Sequence, residues 1–325
     1  MPVIHPSGYR PPRGLANPHI QMLLSNQFRA VPHQPYDRER ISTPDGDFLD
    51  LDWIHVPSAR KVVVLCHGLE GHSKRPYVRG MARHFRKNGW NVCAMNYRGC
   101  SGEPNLKPRF YHSGATEDLD AVVRHIEKRY PGQPMALVGF SLGANLILKF
   151  LGDLGREAPS AIRGAVVFSA PCDLAASAAA IARPRNRVYM RRFLNMLREK
   201  IEIKEVLHPG MITARGFDAI RTFEDFDNRY TAPLHGFRDA RDYWNRASSK
   251  PVLSRIAVPT LMVSARDDPF LGPECFPFEA AYRNPRLFLE VPDHGSHVGF
   301  FDIFPDGTIW SERRALGFLE TARPQ

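Results

Sequence analysis

The stretch Gly139-Phe140-Ser141-Leu142-Gly143 constrains this chain more than any other. An apolar run, Met135-Ala136-Leu137-Val138, precedes it and reads as a short buried strand. Leu142 to Leu151 follows and reads as a buried helix. A serine flanked two residues away by glycines, between a strand and a helix, is the pattern of a nucleophile elbow. The serine must sit on a turn sharp enough to strain its backbone. The residues two before and two after it crowd the neighbouring strand and helix, so both must lack a Cβ. The same turn aims the Leu142 N–H at the place where an oxyanion would form, beside a helix N-terminus that favours negative charge. A glycine-rich connection with an incidental serine would explain the pentapeptide alone, but not its flanks.

The rest of the chain supplies a matching frame. Val62-Val63-Val64-Leu65-Cys66 is a continuous β-branched run, as expected of a strand buried on both faces. Val92 to Met95, Gly164 to Phe168, Thr260 to Ser264 and Leu287 to Val291 are further strands. Helical patterns separate them at Pro76–Asn88, Ala115–Tyr130, Pro273–Tyr282 and Ser311–Thr321. Strand–helix alternation with short connections predicts an α/β fold with a mostly parallel, doubly wound sheet. Ahead of it, Pro44-Asp45-Gly46-Asp47 lies between two extended runs and predicts an antiparallel hairpin at one edge. In its second run Leu49, Leu51 and Trp53 alternate with Asp50, Asp52 and Ile54, as in a half-exposed strand.

One domain is expected over residues 1–325, with two additions. Residues 1–35, rich in proline and polar residues, form an N-terminal arm with one short helical candidate from Asn17 to Leu24. The alternation also stops at Pro171 and resumes near Pro259, so residues 173–250 are expected to be a helical cap inserted over the carboxyl edge of the sheet, where ligands bind in open α/β folds. Within it Tyr189, Phe193, Met196, Leu197 and Ile201 share one helix face, with Arg187, Arg191, Arg198 and Lys204 opposite.

A serine hydroxyl needs a base, and the base needs a group to hold its tautomer. Asp267-Asp268 follows one late strand, and His294 and His297 follow the last. Ser141, an aspartate and a histidine therefore all fall just past carboxyl strand ends, in the chain order serine, acid, histidine. Asp268 is favoured over Asp267 because Pro269-Phe270 turns the chain behind it. His297 is favoured over His294 because it heads the apolar turn Val298-Gly299-Phe300-Phe301. His67-Gly68-Leu69 follows the first buried strand, and its Leu69 N–H is the second candidate oxyanion donor beside Leu142. His67, Tyr97 and Arg98 read as supports of that loop. The two late histidines lack a third clustered ligand, so no metal and no cofactor is expected.

Composition narrows the rest. The chain is 43% hydrophobic and 24% charged, ordinary for a globular protein. No apolar run approaches the ~18 residues of a membrane span. The start has no apolar signal core, and the five scattered cysteines suggest neither a disulfide framework nor a zinc site, so a cytoplasmic location is expected. Net charge is +10, yet no nucleic-acid module or phosphate loop is present, so a nucleic-acid partner is not expected. Arg183 to Lys204 holds eight basic and two acidic residues, compatible with weak contact to an anionic membrane surface. Oligomeric state is left open.

The motifs together resemble the YheT-like α/β-hydrolases. The resemblance rests on His67-Gly68-Leu69-Glu70-Gly71, Asn96-Tyr97-Arg98-Gly99-Cys100-Ser101-Gly102, Tyr111-His112-Ser113-Gly114, Gly139 to Asn145, and Ala265-Arg266-Asp267-Asp268-Pro269-Phe270. Asn17 to Gln21, Phe226-Asp227 and Tyr243-Trp244 extend it over nearly the whole chain. It implies the α/β-hydrolase fold, a triad of Ser141, Asp268 and His297, and hydrolysis of small-molecule or lipid-like carboxylic esters, with short to medium acyl chains in some relatives. Acyl transfer to an alcohol on the same triad and non-catalytic ligand binding on the same fold stay open as alternatives. One departure is Gly295-Ser296, where the family usually has two glycines before the histidine.

Overall fold

The computed structural model describes residues 2–302 and 304–321; Met1, where the expected arm begins, lies outside them. Among the described residues nine strands form one sheet: β1 Val3–Ile4, β2 Asp37–Ser42, β3 Phe48–Ile54, β4 Val62–Cys66, β5 Asn91–Asn96, β6 Met135–Phe140, β7 Ile162–Phe168, β8 Thr260–Val263 and β9 Leu287–Glu290. Their order is β1-β9-β8-β7-β6-β4-β5-β3-β2. The hairpin β2–β3 and the β3–β5 pair are antiparallel, and the other pairs are parallel. The hairpin thus closes one edge, and the first residues of the arm add a two-residue parallel strand at the other.

The period-two geometry of β4 splits its residues between two cores. Val62, Val64 and Cys66 face the helices Thr116–Arg129 and Leu142–Leu154. Val63 and Leu65 face the helices Pro76–Lys87 and Trp310–Thr321. Both faces are therefore covered, which is why the central strands contain so few polar residues. Between β7 and β8 the chain is helical. Its longest helix, Arg187–Leu207, packs Met190, Leu194, Leu197 and Ile201 into a third apolar cluster with Phe226 and Tyr230. The arm joins the same cluster through Met22, in the helix Pro18–Leu23 capped by the Asn17 side chain.

Two expectations are corrected. β3 is buried along its whole length rather than half-exposed. Asp50 and Asp52 tolerate burial because Arg40 and Arg38 on the paired strand each hold one of them through two guanidinium nitrogens at 2.8–2.9 Å. Lys204, expected on the solvated face of the cap helix, is 1% exposed. Its ammonium donates to the Asn105 and Lys107 carbonyls at 2.7 and 2.5 Å. Lys200 is likewise buried, so two of the eight basic residues in this segment point inward.

Gly80 lies inside the helix Pro76–Lys87, where alanine ordinarily stabilises by about 0.5–1 kcal/mol. Here the sign reverses. A Cβ would sit 2.0 Å from Glu312 Oε1 and 2.6 Å from Arg29 Nη1. That pair is buried and bonded at 2.5 Å, so neither side chain has free space to retreat into. Gly80→Ala is expected to lower stability by about 1–3 kcal/mol. The check is the urea midpoint at constant m; a midpoint unchanged or raised would show that the pair moves aside without cost.

Candidate active site

The turn after β6 is as tight as its glycines imply. Ser141 has φ 52° and ψ −115°, a left-handed conformation that costs a non-glycine residue about 1–2 kcal/mol. Its N–H is held by the Phe168 carbonyl at 2.9 Å. A Cβ on Gly143 would lie 2.4 Å from the Cys66 carbonyl oxygen, and one on Gly139 2.5 Å from the Gly143 oxygen. Such contacts would force the elbow away from the sheet. Gly68, from the loop after β4, approaches the serine itself, since a Cβ there would meet Ser141 Cβ at 3.3 Å.

Asp268, just past β8, and His297, just past β9, meet Ser141 from the far side. His297 Nδ1 lies 2.8 Å from Asp268 Oδ2 and 3.1 Å from Oδ1, and Nε2 lies 2.8 Å from Ser141 Oγ. With both carboxyl oxygens facing Nδ1, that nitrogen donates, and Nε2 is left to accept the serine hydroxyl proton. Asp268 also accepts the Phe270 N–H at 2.9 Å, and the Phe270 ring packs on the imidazole with centroids 4.7 Å apart.

The neighbouring aspartate does something else. Asp267 Oδ1 accepts the Ser296 N–H at 2.8 Å, and its other oxygen lies 3.4 Å from the exposed His294. Burial pushes its carboxyl upward in pKa. Asp267 therefore braces the histidine loop while Asp268 addresses the imidazole. That loop is bent hard: Gly295, Ser296, Val298 and Phe300 have φ of 142°, 54°, 55° and 39°. Ser25 Oγ donates to Gly299 O at 2.6 Å, Asn26 Nδ2 to His297 O at 3.3 Å, and Val298 N–H to Ser169 Oγ at 2.9 Å. These three polar residues have no local sequence signal; their partners lie more than a hundred residues away in the chain. At the departure Gly295-Ser296, the serine backbone adopts the left-handed turn that a glycine would, and its Oγ is buried without a partner among the described residues.

Leu142 opens the helix Leu142–Leu154, where the first N–H groups have no intrahelical acceptor, and Leu69 follows Gly68 beside Ser141. His67 is fully buried. Its Nδ1 lies 2.7 Å from Gly68 O, and its Nε2 accepts the Tyr97 N–H at 3.3 Å. Burial pushes it down to about 3, so it stays neutral and holds the loop rather than a proton. Arg98 is spent on Asp118, Asp45 and Asp47. Beyond Leu69, Glu70 takes φ 50°; its N–H donates to Tyr111 Oη and its carboxylate accepts the Tyr111 hydroxyl, both at 2.7 Å. Lys200 of the cap helix reaches Glu70 at 3.5 Å and donates to Gly99 O at 2.9 Å. Among the described residues no cluster of three or more His, Cys, Asp or Glu could hold a metal ion.

Comparison with known proteins gives the family. Residues 61–303 match the alpha/beta hydrolase fold family. The chain is 38% identical to "Putative esterase YheT" of Escherichia coli (strain K12), over 96% of this chain and 92% of that one. It is 31% identical to "Phospholipase ABHD3" of Mus musculus, over 92% of this chain and 75% of that one. The Pyrococcus furiosus esterase Pf2001 superposes with a TM-score of 0.60 at 20% identity, covering 91% of this chain and 99% of that one, a likeness of fold. The chain belongs to the YheT-like branch of the α/β-hydrolases.

Proposed function

We propose that the protein hydrolyses carboxylic esters through an acyl-enzyme on Ser141. The observation that carries this reading is the unbroken chain Asp268–His297–Ser141, with both imidazole contacts at 2.8 Å. Ser141 Oγ attacks the acyl carbonyl as its proton passes to His297 Nε2. The oxyanion is held by the Leu69 and Leu142 N–H groups. His297 then protonates the departing alkoxide. Water enters with His297 again as base, the acid is released and Ser141 is restored. Asp268 fixes the tautomer and stabilises the imidazolium. The name of one relative, "Putative esterase YheT", supports an ester as the bond broken.

The acyl group has a place to go. A cavity of about 130 Å³ opens from Ser141 beneath the cap, walled by Phe110, Leu174, Ile181, Leu197 and Phe226. Its apolar walls favour an alkyl chain. One carboxyl group, that of Asp227, sits in its wall. Thr231 Oγ1 and Trp244 Nε1 donate to its two oxygens at 2.6 and 2.8 Å. Burial outweighs those bonds and raises the carboxyl from 3.8 to about 6.

Two predictions follow from this assignment of roles. Ser141→Ala is expected to lower turnover by about 10⁴ or more and to abolish fluorophosphonate labelling. Asp268→Asn should cost about 10⁴ in kcat. Asp267→Asn, which spares the imidazole contact, should cost far less. Equal labelling of wild type and Ser141→Ala, or equal losses at the two aspartates, would refute the roles. Separately, a folded-state pKa raised to about 6 means that the stability Asp227 contributes is complete below about 4 and is lost as pH rises through 6. That loss is on the order of 3 kcal/mol. Urea melts of wild type and Asp227→Asn should diverge across this interval, with the variant gaining relative to wild type as pH rises; parallel curves would show that Asp227 ionises at its ordinary pH.

A further inference from the structure

We propose that Tyr77 is a further catalytic residue, its hydroxyl donating a hydrogen bond to the alkoxy oxygen of the ester as the C–O bond breaks. This rests on the ester-hydrolase reading and adds a group to it. A departing alkoxide is strongly basic, so an alkyl ester is cleaved slowly unless charge on that oxygen is met as it builds. His297 supplies the proton, the one taken from Ser141, and the alcohol leaves with it. Tyr77 keeps its own proton throughout and contributes only the hydrogen bond.

Two spaces meet at Ser141. The first is the apolar cavity beneath the cap. The second, of about 120 Å³, has Gly68 and Tyr77 in its wall together with Ser141 and His297, and Tyr77 does not line the first. With the acyl chain in the first and its carbonyl carbon at Ser141 Oγ, the alkoxy oxygen faces the second. The Tyr77 hydroxyl is placed there from two sides. Its ring packs edge-on against Phe140, the last residue of β6, with centroids 4.9 Å apart, so it is tied to the strand that presents the nucleophile. Its Oη accepts the Gly68 N–H at 3.0 Å. A Cβ built on Gly68 would lie 3.3 Å from Ser141 Cβ and 3.5 Å from Tyr77 Oη, so nucleophile and phenol flank one point. The last glycine of His67-Gly68-Leu69-Glu70-Gly71 answers to the same oxygen. A Cβ on Gly71 would come within 2.9 Å of Tyr77 Oη and of Gly68 O, and its φ is not left-handed, so space rather than conformation demands a glycine. Accepting the Gly68 N–H leaves the phenol proton uncommitted, with no acceptor among the described residues. Burial raises the phenol pKa, so the proton stays on. A phenol that only braced Gly68 would be spent on that bond; this one has a donor left over beside the reacting atoms.

The test compares wild type with Tyr77→Phe on two esters of one acid, ethyl butanoate and 4-nitrophenyl butanoate. Both give the same acyl-enzyme, and kcat/KM reports the steps up to its formation, where only the alcohol differs. Ethoxide needs the donor; 4-nitrophenoxide, a weak base, does not. Tyr77→Phe should lower kcat/KM for the ethyl ester by roughly 10- to 100-fold. The nitrophenyl ester should lose about threefold, through the acceptor taken from the Gly68 N–H. A merely structural role moves both esters alike. Fluorophosphonate should still label Ser141 in the variant, which reports an assembled triad. If the variant does not fold, replacement of Tyr77 by 3-fluorotyrosine keeps the shape and strengthens the donor, and the ethyl-to-nitrophenyl ratio should then rise about two- to fivefold. Equal losses on the two esters in a variant that labels, no loss on either, or a ratio that the fluorinated residue leaves unchanged overturns this assignment alone. Failure of wild type to cleave any ester overturns the hydrolase reading as well.

Discussion

The structure turns on one backbone approach: the Gly143 peptide against the Cys66 carbonyl, with a hypothetical Cβ only 2.4 Å from that oxygen. It lets the helix Leu142–Leu154 start directly above β6 and pins the Ser141 turn against the loop after β4. Each later requirement inherits this closeness. The Leu142 and Leu69 backbones come together only if the two loops that hold them nearly touch, and a Cβ added to Gly68 would lie 3.3 Å from Ser141 Cβ. The strain at Ser141, about 1–2 kcal/mol, is small beside the burial of the central strands on both faces. The sheet can therefore hold a conformation that a free chain would leave.

The histidine side needs a different support, because its loop has no helix to brace it. Four residues from Gly295 to Phe300 have positive φ, and the bend is held by polar contacts from distant parts of the chain. The arm supplies Ser25 and Asn26, the loop after β7 supplies Ser169, and the loop after β8 supplies Asp267. The arm is thus a structural part of the site. The adjacent aspartates divide the labour because consecutive side chains leave the backbone in different directions: one reaches the imidazole and the other the loop that presents it.

What was legible in the sequence follows from range. The central strands announce themselves as β-branched runs, and the elbow is recognisable because its constraint acts over five consecutive residues. The meeting of Ser141, Asp268 and His297 could be anticipated because each directly follows a strand in a parallel sheet, which brings those ends to one edge. Ser25, Asn26 and Ser169 could not, since their contacts join chain segments that only the finished fold brings together. Asp50, Asp52 and Lys204 were misleading for a related reason. A charged residue in an amphipathic pattern reads as solvated until its partner is known, and those partners were an arginine pair on the next strand and two loop carbonyls. The cavity beside Ser141 has no sequence pattern, because its walls come from the sheet loops and the cap at once.

Lys200 and Glu70 extend the same reasoning from the sheet to the cap. A buried ion pair is rarely a net source of stability, since desolvating two charges costs about what their attraction returns. Its physical value is directional. Glu70 follows Leu69, is held in a left-handed turn, and binds Tyr111 through both backbone and carboxylate. Lys200 ties that assembly to the Arg187–Leu207 helix, while Lys204 ties the next turn of the helix to the loop at Asn105. An apolar pair would fill the space but allow the helix to slide or rotate over it. Two ammonium groups aimed at fixed oxygens do not. The cap helix that supplies Leu197 to the cavity beside Ser141 is therefore registered against the loop after β4, so the shape of that cavity and the position of the Leu69 N–H are set by the same contacts.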